Sequence, residues 1–307
     1  MRTIVFNQNN IVQDGLNSTL VYKFPNSVQF KNNYIAVQKI ALYYSWYNIS
    51  AALGNNKFTY TWFSGATKTT YNVTIPDGIY DITSLNSYLE YVFIQNNTYM
   101  TTSTGNNVYF AQFELNVSRY AVQLCTFRVP SASNNPNAYV ASSLGYPSKI
   151  FNPSVTIPAN FNVIIGFPAG WSSPENIDGI VPPFTVTGSG TYNGVAYDYN
   201  NNTGAMSFYS SQSPEVTVNA SVYVTLTCIE NPYASPASTI YAISPTSGIG
   251  SLIIDTPPNF GWNKLIDGNY NQLRMQFLDL DFQPLKINDP NMTILLIIKD
   301  GDEYGGK

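Results

Sequence analysis

"VTVNASVYVTLTC", running from Val216 to Cys228, alternates without interruption. Val216, Val218, Ala220, Val222, Val224, Leu226 and Cys228 share one side, and Thr217, Asn219, Ser221, Tyr223, Thr225 and Thr227 share the other. A strand, with its two-residue period, puts the whole first set on one buried face. At about 3.3 Å per residue such a strand spans about 40 Å, a length that suits the wall of a sandwich or barrel.

The same period recurs along the chain. In "YIAVQKIALYYSWYNI", Ile40, Leu42, Tyr44 and Trp46 alternate with Lys39, Ala41, Tyr43 and Ser45. "KFTYTW" and "TTYNVTI" read as two successive strands, and "VYFAQFEL" and "YAVQLCTFRV" as a hairpin turning at Asn116 to Arg119. "LRMQFLDLDF" changes phase: Leu273, Met275 and Phe277 are followed by Leu278, Leu280 and Phe282. One extra residue near Phe277 produces that change, which predicts a β-bulge there. "TILLIIKD" is apolar without a break from Ile294 to Ile298, so it is either a central strand or covered by a partner.

A single segment departs from this pattern. Ile82, Leu85, Leu89 and Phe93 recur at spacings of three and four, which predicts one amphipathic helix. Asp81 stands where a carboxylate accepts from the free N–H groups of a first turn, and Pro76, Asp77 and Gly78 punctuate the approach. From Pro130 to Pro214 the chain is rich in Pro, Gly, Ser and Asn, with short strands expected at "FNVIIGF" and "PFTVTG". The expected fold is therefore all-β: a single jelly-roll sandwich with one connecting helix and an inserted β/loop subdomain. The boundaries expected are an N-terminal arm at 1–17, a jelly roll from 18–128 and 214–300, an insertion at 129–213, and a flexible tail at 301–307.

Composition bears on what such a sandwich meets. Of 307 residues only 10% are charged, against roughly 25% in ordinary soluble domains, while 44% are apolar and Tyr and Phe occur 24 and 17 times. Charge depletion with aromatic enrichment is the signature of an interface core. The net charge of −4 and the absence of a basic run disfavour a nucleic-acid partner. No apolar run is long enough to span a bilayer, and "MRTIVFNQNN" carries no secretory h-region; initiation at Met1 argues against a signal already removed.

Catalytic machinery is not evident. The chain has no histidine, which removes the usual triads and zinc sites and the commonest general base near neutral pH. Paired carboxylates could serve glycoside hydrolysis or calcium, with Asp279 and Asp281 on one side of a strand and Asp267, Asp289 and Asp300 near in sequence. Solvated faces and turn caps account for them more simply. Trp46 and Trp62 read as core, and Trp171 and Trp262 as loop or interface packing that could also stack on sugars. Cys125 and Cys228 read as two buried free thiols, a disulfide remaining open. Sequons begin at Asn17, Asn48, Asn72, Asn96, Asn116, Asn201, Asn219 and Asn291, a set that the abundance of Asn, Ser and Thr explains by chance. No catalytic, cofactor-binding or metal residue is assigned.

Three groups of residues carry a resemblance. They are Pro76-Asp77-Gly78-x-Tyr80 leading into the helix with Leu85 and Leu89, Pro257 to Trp262, and a terminal strand pair with Asp289-Pro290 between. In this order they resemble the penton, or minor capsid, proteins of polinton (Maverick) elements and virophages, those of the Mavirus type in particular. The resemblance covers roughly Thr19 to Asp300 and is thin through the middle. It implies a single jelly roll upright in an icosahedral shell, homopentamers at the fivefold vertices beside major capsid protein capsomers, and an outward insertion. It also implies a virion location with assembly in the host cytoplasm. The helix would then cover an open end of the sandwich. Capsid maturation proteases of the adenovirus-like cysteine type favour cleavage after Gly-Gly, and Gly305-Gly306-Lys307 offers such a pair, although Glu303 departs from the pattern. The rival readings are a lectin-like carbohydrate- or receptor-binding sandwich and a jelly-roll glycosidase.

Overall fold

The computed structural model describes residues 1–178, 183–214, 221–246, 248 and 250–301. The chain divides into two compact units, Met1–Tyr47 with Asn219–Lys307, and Asn48–Val218. Unit 1 begins with β1 (Arg2–Phe6), β2 (Thr19–Phe30) and β3 (Asn33–Tyr43). Unit 2 opens with β4 (Lys57–Ser64), β5 (Thr67–Thr74), α1 (Ile82–Gln95), β6 (Met100–Thr101), β7 (Asn107–Val108), β8 (Ala111–Asn116) and β9 (Ala121–Thr126). It continues through β10 (Val140–Ala141), β11 (Val155–Ile157), α2 (Phe161–Ile165), β12 (Trp171–Ser172), β13 (Gly188–Tyr192), β14 (Val195–Asn200) and β15 (Ala205–Tyr209). Unit 1 is completed by β16 (Val222–Leu226), β17 (Thr239–Ile243), β18 (Leu252–Asp255), β19 (Asn263–Lys264), β20 (Gly268–Leu278) and β21 (Thr293–Asp300).

Among the described residues, unit 1 holds two antiparallel sheets, ordered β1-β21-β3-β18, with β19 also on β3, and β17-β16-β20-β2. Phe6, Ile40 and Leu296 from the first sheet and Leu20, Val224 and Phe277 from the second belong to one buried cluster. Two sheets burying one face each against a common core make a sandwich. The alternation at Ile40, Leu42, Tyr44 and Trp46 is borne out, since all four are buried. The apolar run of β21 is central, between β1 and β3.

Three expectations for this unit need correction. Residues 1–17 are not an arm throughout, because β1 pairs with β21 and buries Ile4 and Phe6. No bulge lies at Phe277: β20 ends at Leu278 and the chain reverses, so the phase change reflects a turn. The register shifts fall instead on β2, between Lys23 and Val28, on β3, where Gln38 is the extra residue between Val37 and Lys39, and on β17, where Ile240 is extra between Thr239 and Tyr241. The extra Gln38 keeps both Val37 and Ile40 inward. The 13-residue alternating strand is described only as Val222–Leu226, with 216–220 outside the described residues and Thr227 and Cys228 already in a turn.

Unit 2 has its own core, drawn from the sheets β12-β11-β4-β5 and β13-β14-β15-β9-β8 and from α1. The hairpin expected at Asn116 to Arg119 joins β8 to β9. Helix α1 starts where the sequence places it. The Asp81 carboxylate accepts from Ser84 N–H at 2.7 Å and the Ser84 hydroxyl reaches back to Asp81 N–H at 2.9 Å, a reciprocal capping box. Ile82, Leu85, Leu89, Val92 and Phe93 are buried, and the Asn86 side chain accepts from Phe113 N–H of β8 at 2.9 Å. The helix therefore covers the core of unit 2.

Asp81→Ala should cost about 1 kcal/mol in unit 2, the usual worth of such a cap. The hydrogen bonds from Ser84 hold the Asp81 carboxyl below its ordinary pKa. A group so depressed stabilises the fold fully above its unfolded value and loses that contribution as pH falls through the folded one. Chemical denaturation at pH 7 and near pH 3 checks this: the wild-type advantage over the variant should shrink at the lower pH.

The residues expected to form one barrel, 18–128 and 214–300, are thus shared between two units, and the segment 129–213 does not stand apart. Phe151, Phe184, Tyr197 and Phe208 join Tyr60, Trp62 and Phe93 in one cluster, because β15 pairs with β9 and β11 with β4. "FNVIIGF" forms helix α2, burying Phe161, Ile164 and Ile165 at helical spacing. Gly166 ends it with φ +72°, and a Cβ there would lie 2.1 Å from the Gln212 carbonyl oxygen. "PFTVTG" is mostly turn, with β13 starting at Gly188. Residues from Asp302 on, including the Gly305-Gly306 pair, lie outside the described residues.

Candidate interaction surface

The two sheets of unit 1 differ on their outer faces. On β17-β16-β20-β2 the residues opposite the core include Lys23, Gln272, Arg274 and Gln276, with Val21 opposite Arg274. The four polar residues are those of a solvated strand. On β1-β21-β3-β18 the outward registers mix apolar side chains with Thr3, Lys39 and Thr293. Val5 pairs with Leu295, Ile297 with Ala36, Ile254 with Ala41, and Leu252 with Tyr43. Ile297 is shielded by its neighbours at 2%, whereas Val5, Tyr43, Leu252 and Ile254 keep 40%, 46%, 46% and 58% of their surface exposed.

Those four are the exposed apolar side chains of the face, beside the exposed Thr3 and the half-buried Lys39, Thr293 and Leu295. Covering the half of each that remains exposed yields about 1 kcal/mol apiece on the area scale. Bringing two bodies together costs roughly 4–15 kcal/mol in lost freedom. The face therefore supports association best where several contacts form at once, as in a closed ring.

The end of this face carries the Pro257 to Trp262 segment. Lys299 Nζ lies 4.2 Å from the Trp262 ring centre and 5.8 Å from that of Tyr34, and Phe260 meets Trp262 edge-on at 5.8 Å. Arg2 and Asp300 close the strand ends with an ion pair of 2.8 Å between exposed groups. Asp289 works from inside. It is 4% exposed and accepts from Tyr43 N–H at 2.8 Å and Asn291 N–H at 2.7 Å, tying the turn before β21 to the end of β3. In unit 2, Asn48 clamps the approach to α1, donating to the Tyr80 carbonyl at 2.7 Å and accepting from Tyr80 N–H at 2.9 Å. Asp77 accepts from Ala51 N–H at 2.7 Å.

The remaining chemical candidates are placed apart. Asp279 and Asp281 do not share a strand face: they sit in the turn after β20, with Asp279 accepting from Asp281 N–H at 2.9 Å and Gln283 N–H at 2.8 Å. Asp267 accepts from Asn32 N–H at 3.0 Å. Among the described residues no three His, Cys, Asp or Glu side chains gather to hold a metal ion, and no helix is long and apolar enough to cross a membrane. Trp46 and Trp62 are core, as expected. Trp171 is core too, a correction, because Phe167 and Phe208 enclose it at 5.1 and 5.2 Å and leave no ring face for a sugar. Trp262 is partly exposed in its loop but occupied by Lys299. Cys125 and Cys228 are buried free thiols, and burial pushes Cys228 up to about 12. Asn48, one of the sequons, is buried at 4%, and Asn219 lies outside the described residues.

The sequence signals for the outer face were present but weak. Val5, Leu252 and Ile254 belong to short strands, and only pairing them across β21 and β3 reveals one surface.

No protein-family model matches the chain, and no curated protein does. Among solved structures it is similar to the mavirus penton protein, at 10% identity and a TM-score of 0.40 over 97% of this chain and 98% of that one. It is also similar to a chain of the Sputnik virophage structure, at 9% identity and a TM-score of 0.40 over 99% of each.

Proposed function

We propose that this chain is a structural capsid protein that forms the pentameric vertex of an icosahedral virus-like particle. The observation that carries the reading is the set of exposed apolar side chains Val5, Tyr43, Leu252 and Ile254 on the outer face of β1-β21-β3-β18, a face richer in apolar groups than that of the other sheet. A lone sandwich has no use for such asymmetry, whereas a protein packed on all flanks by other protein does. The charge-poor, aromatic-rich composition and the motifs at Pro76 to Tyr80, Pro257 to Trp262 and Asp289-Pro290 support the same reading. On this proposal the single jelly roll is unit 1, standing in the shell beside the capsomers of a major capsid protein. Unit 2, residues 48–218, is the insertion, larger than the 129–213 expected from composition. The protein acts by assembly, without catalysis, in virions put together in the host cytoplasm.

A five-membered ring needs a heterologous contact, in which this face meets a different patch on the next subunit. Multi-angle light scattering of the pure protein over rising concentration should show a monomer–pentamer equilibrium. Particle maps placing the chain away from the fivefold axis would overturn the proposal.

A further inference from the structure

Unit 2 contains a second surface that the capsid reading does not use. The outer face of the sheet β12-β11-β4-β5 floors an open cleft of about 710 Å³, within the roughly 300–1,000 Å³ of small-molecule sites. Its walls are the turn from Pro168 to Gly170 and the Tyr192-Asn193 tip of the β13–β14 hairpin. Inward residues of β4, Phe58, Tyr60 and Trp62, build the core, so the alternate residues Thr59 and Thr61 point into the cleft.

The registers place hydroxyls side by side across four strands. Ser172 lies opposite Thr156, Thr156 opposite Thr59, and Thr61 opposite Thr70. Thr156 and Ser172 share one hydrogen bond at 2.8 Å, and Thr61 accepts from Ser154 N–H at 3.1 Å. Each arrangement leaves a hydroxyl proton or a lone pair unused. Lys68 and Glu175 meet at 2.7 Å on the rim, and each keeps further donors or an acceptor oxygen for a ligand.

The lining selects a chemical class. An apolar ligand finds no dry wall here, because hydroxyls dominate the floor. A phosphate or nucleic acid meets one lysine already neutralised by Glu175. A divalent cation meets a single carboxylate. A flat array of paired donors and acceptors with no net charge matches a molecule that itself presents rows of hydroxyls. We propose that this cleft binds a short uncharged oligosaccharide, with Thr59, Thr70 and Thr156 bonding its hydroxyls and the Lys68–Glu175 pair bonding its rim. Trp171 contributes by position only: its indole donates to the Tyr192 carbonyl at 3.3 Å and holds the hairpin wall in place.

The full chain should be titrated with lactose, maltotriose, cellotriose and chitotriose by saturation-transfer NMR and calorimetry. At least one should bind with a dissociation constant of about 1 mM or tighter, near −4 kcal/mol. Thr59→Val with Thr70→Val removes two hydroxyls and keeps the β-branched shape, and should weaken that binding at least tenfold with the melting curve unchanged. Lys68→Ala, at a half-exposed position, should do likewise. Silence from all four sugars at about 10 mM, where a millimolar site is filled, overturns the proposal. So does binding that the variants leave untouched, or a tenfold preference for 3′-sialyllactose over lactose. None of these outcomes depends on oligomeric state, so the site and the capsid reading fail separately.

Discussion

Leu252→Glu combined with Ile254→Arg is expected to abolish self-association and leave the monomer folded. Both residues lie on β18, an edge strand of unit 1, at 46% and 58% exposure. Substitutions so exposed change the stability of the isolated fold by about 0.5 kcal/mol or less. At an interface the same changes put two charged side chains, which can pair only with each other, where apolar contacts were made. Losing contacts of hot-spot size costs 2 kcal/mol or more, which is roughly a 30-fold loss per contact. A pentamer makes the contact around the whole ring, so the assembly should disappear at every concentration reached by light scattering. Gln272→Glu on the polar outer face of β20 is the matched control and should assemble as the wild type does. If the β18 variant assembles normally while the control fails, the interface lies on the other sheet.

Phe208→Ala should destabilise unit 2 by about 3–5 kcal/mol, the usual effect of emptying an aromatic site in a core. Phe208 is fully buried, with Trp171 at 5.2 Å, Phe184 at 6.1 Å and Tyr197 at 6.2 Å between ring centres. Rings held from several elements cannot collapse into the void together. Hydrogen exchange should report the loss at amides of β9, β14 and β15, while β21 of unit 1 keeps its protection. Phe277→Ala, in the core of unit 1, should give the reverse pattern. Equal loss of protection in both units from either variant would mean that the two clusters behave as one core.

Local periodicity was legible wherever one residue's neighbours decide its direction. The helix from Ile82, its Asp81 cap, the β8–β9 hairpin and the inward set at Ile40, Leu42, Tyr44 and Trp46 all follow from short-range sterics and capping. Failures occurred where short apolar runs permit two answers. "FNVII" is as good a strand as a helix by composition, and the left-handed residue at Gly166 together with the packing of Phe161, Ile164 and Ile165 decides for the helix. The phase change after Phe277 has two physical causes that read alike, a bulge or a reversal, and the backbone bond from Leu285 N–H to the Phe277 carbonyl, at 3.0 Å, settles on the reversal.

The sequence by itself determined that this chain is mostly β with a capped helix from Ile82, poor in charge and free of histidine, because those properties reside in residue identity and in periods of two and 3.6. Which strands share a core was decided only by tertiary structure. Burial tells a strand which face to hide but not against which partner, and strands far apart in sequence pair only when their edges meet. So Tyr60 and Phe208, separated by most of unit 2, enclose one core. Val5, Leu295 and Ile254 become one surface through registers that no local pattern encodes.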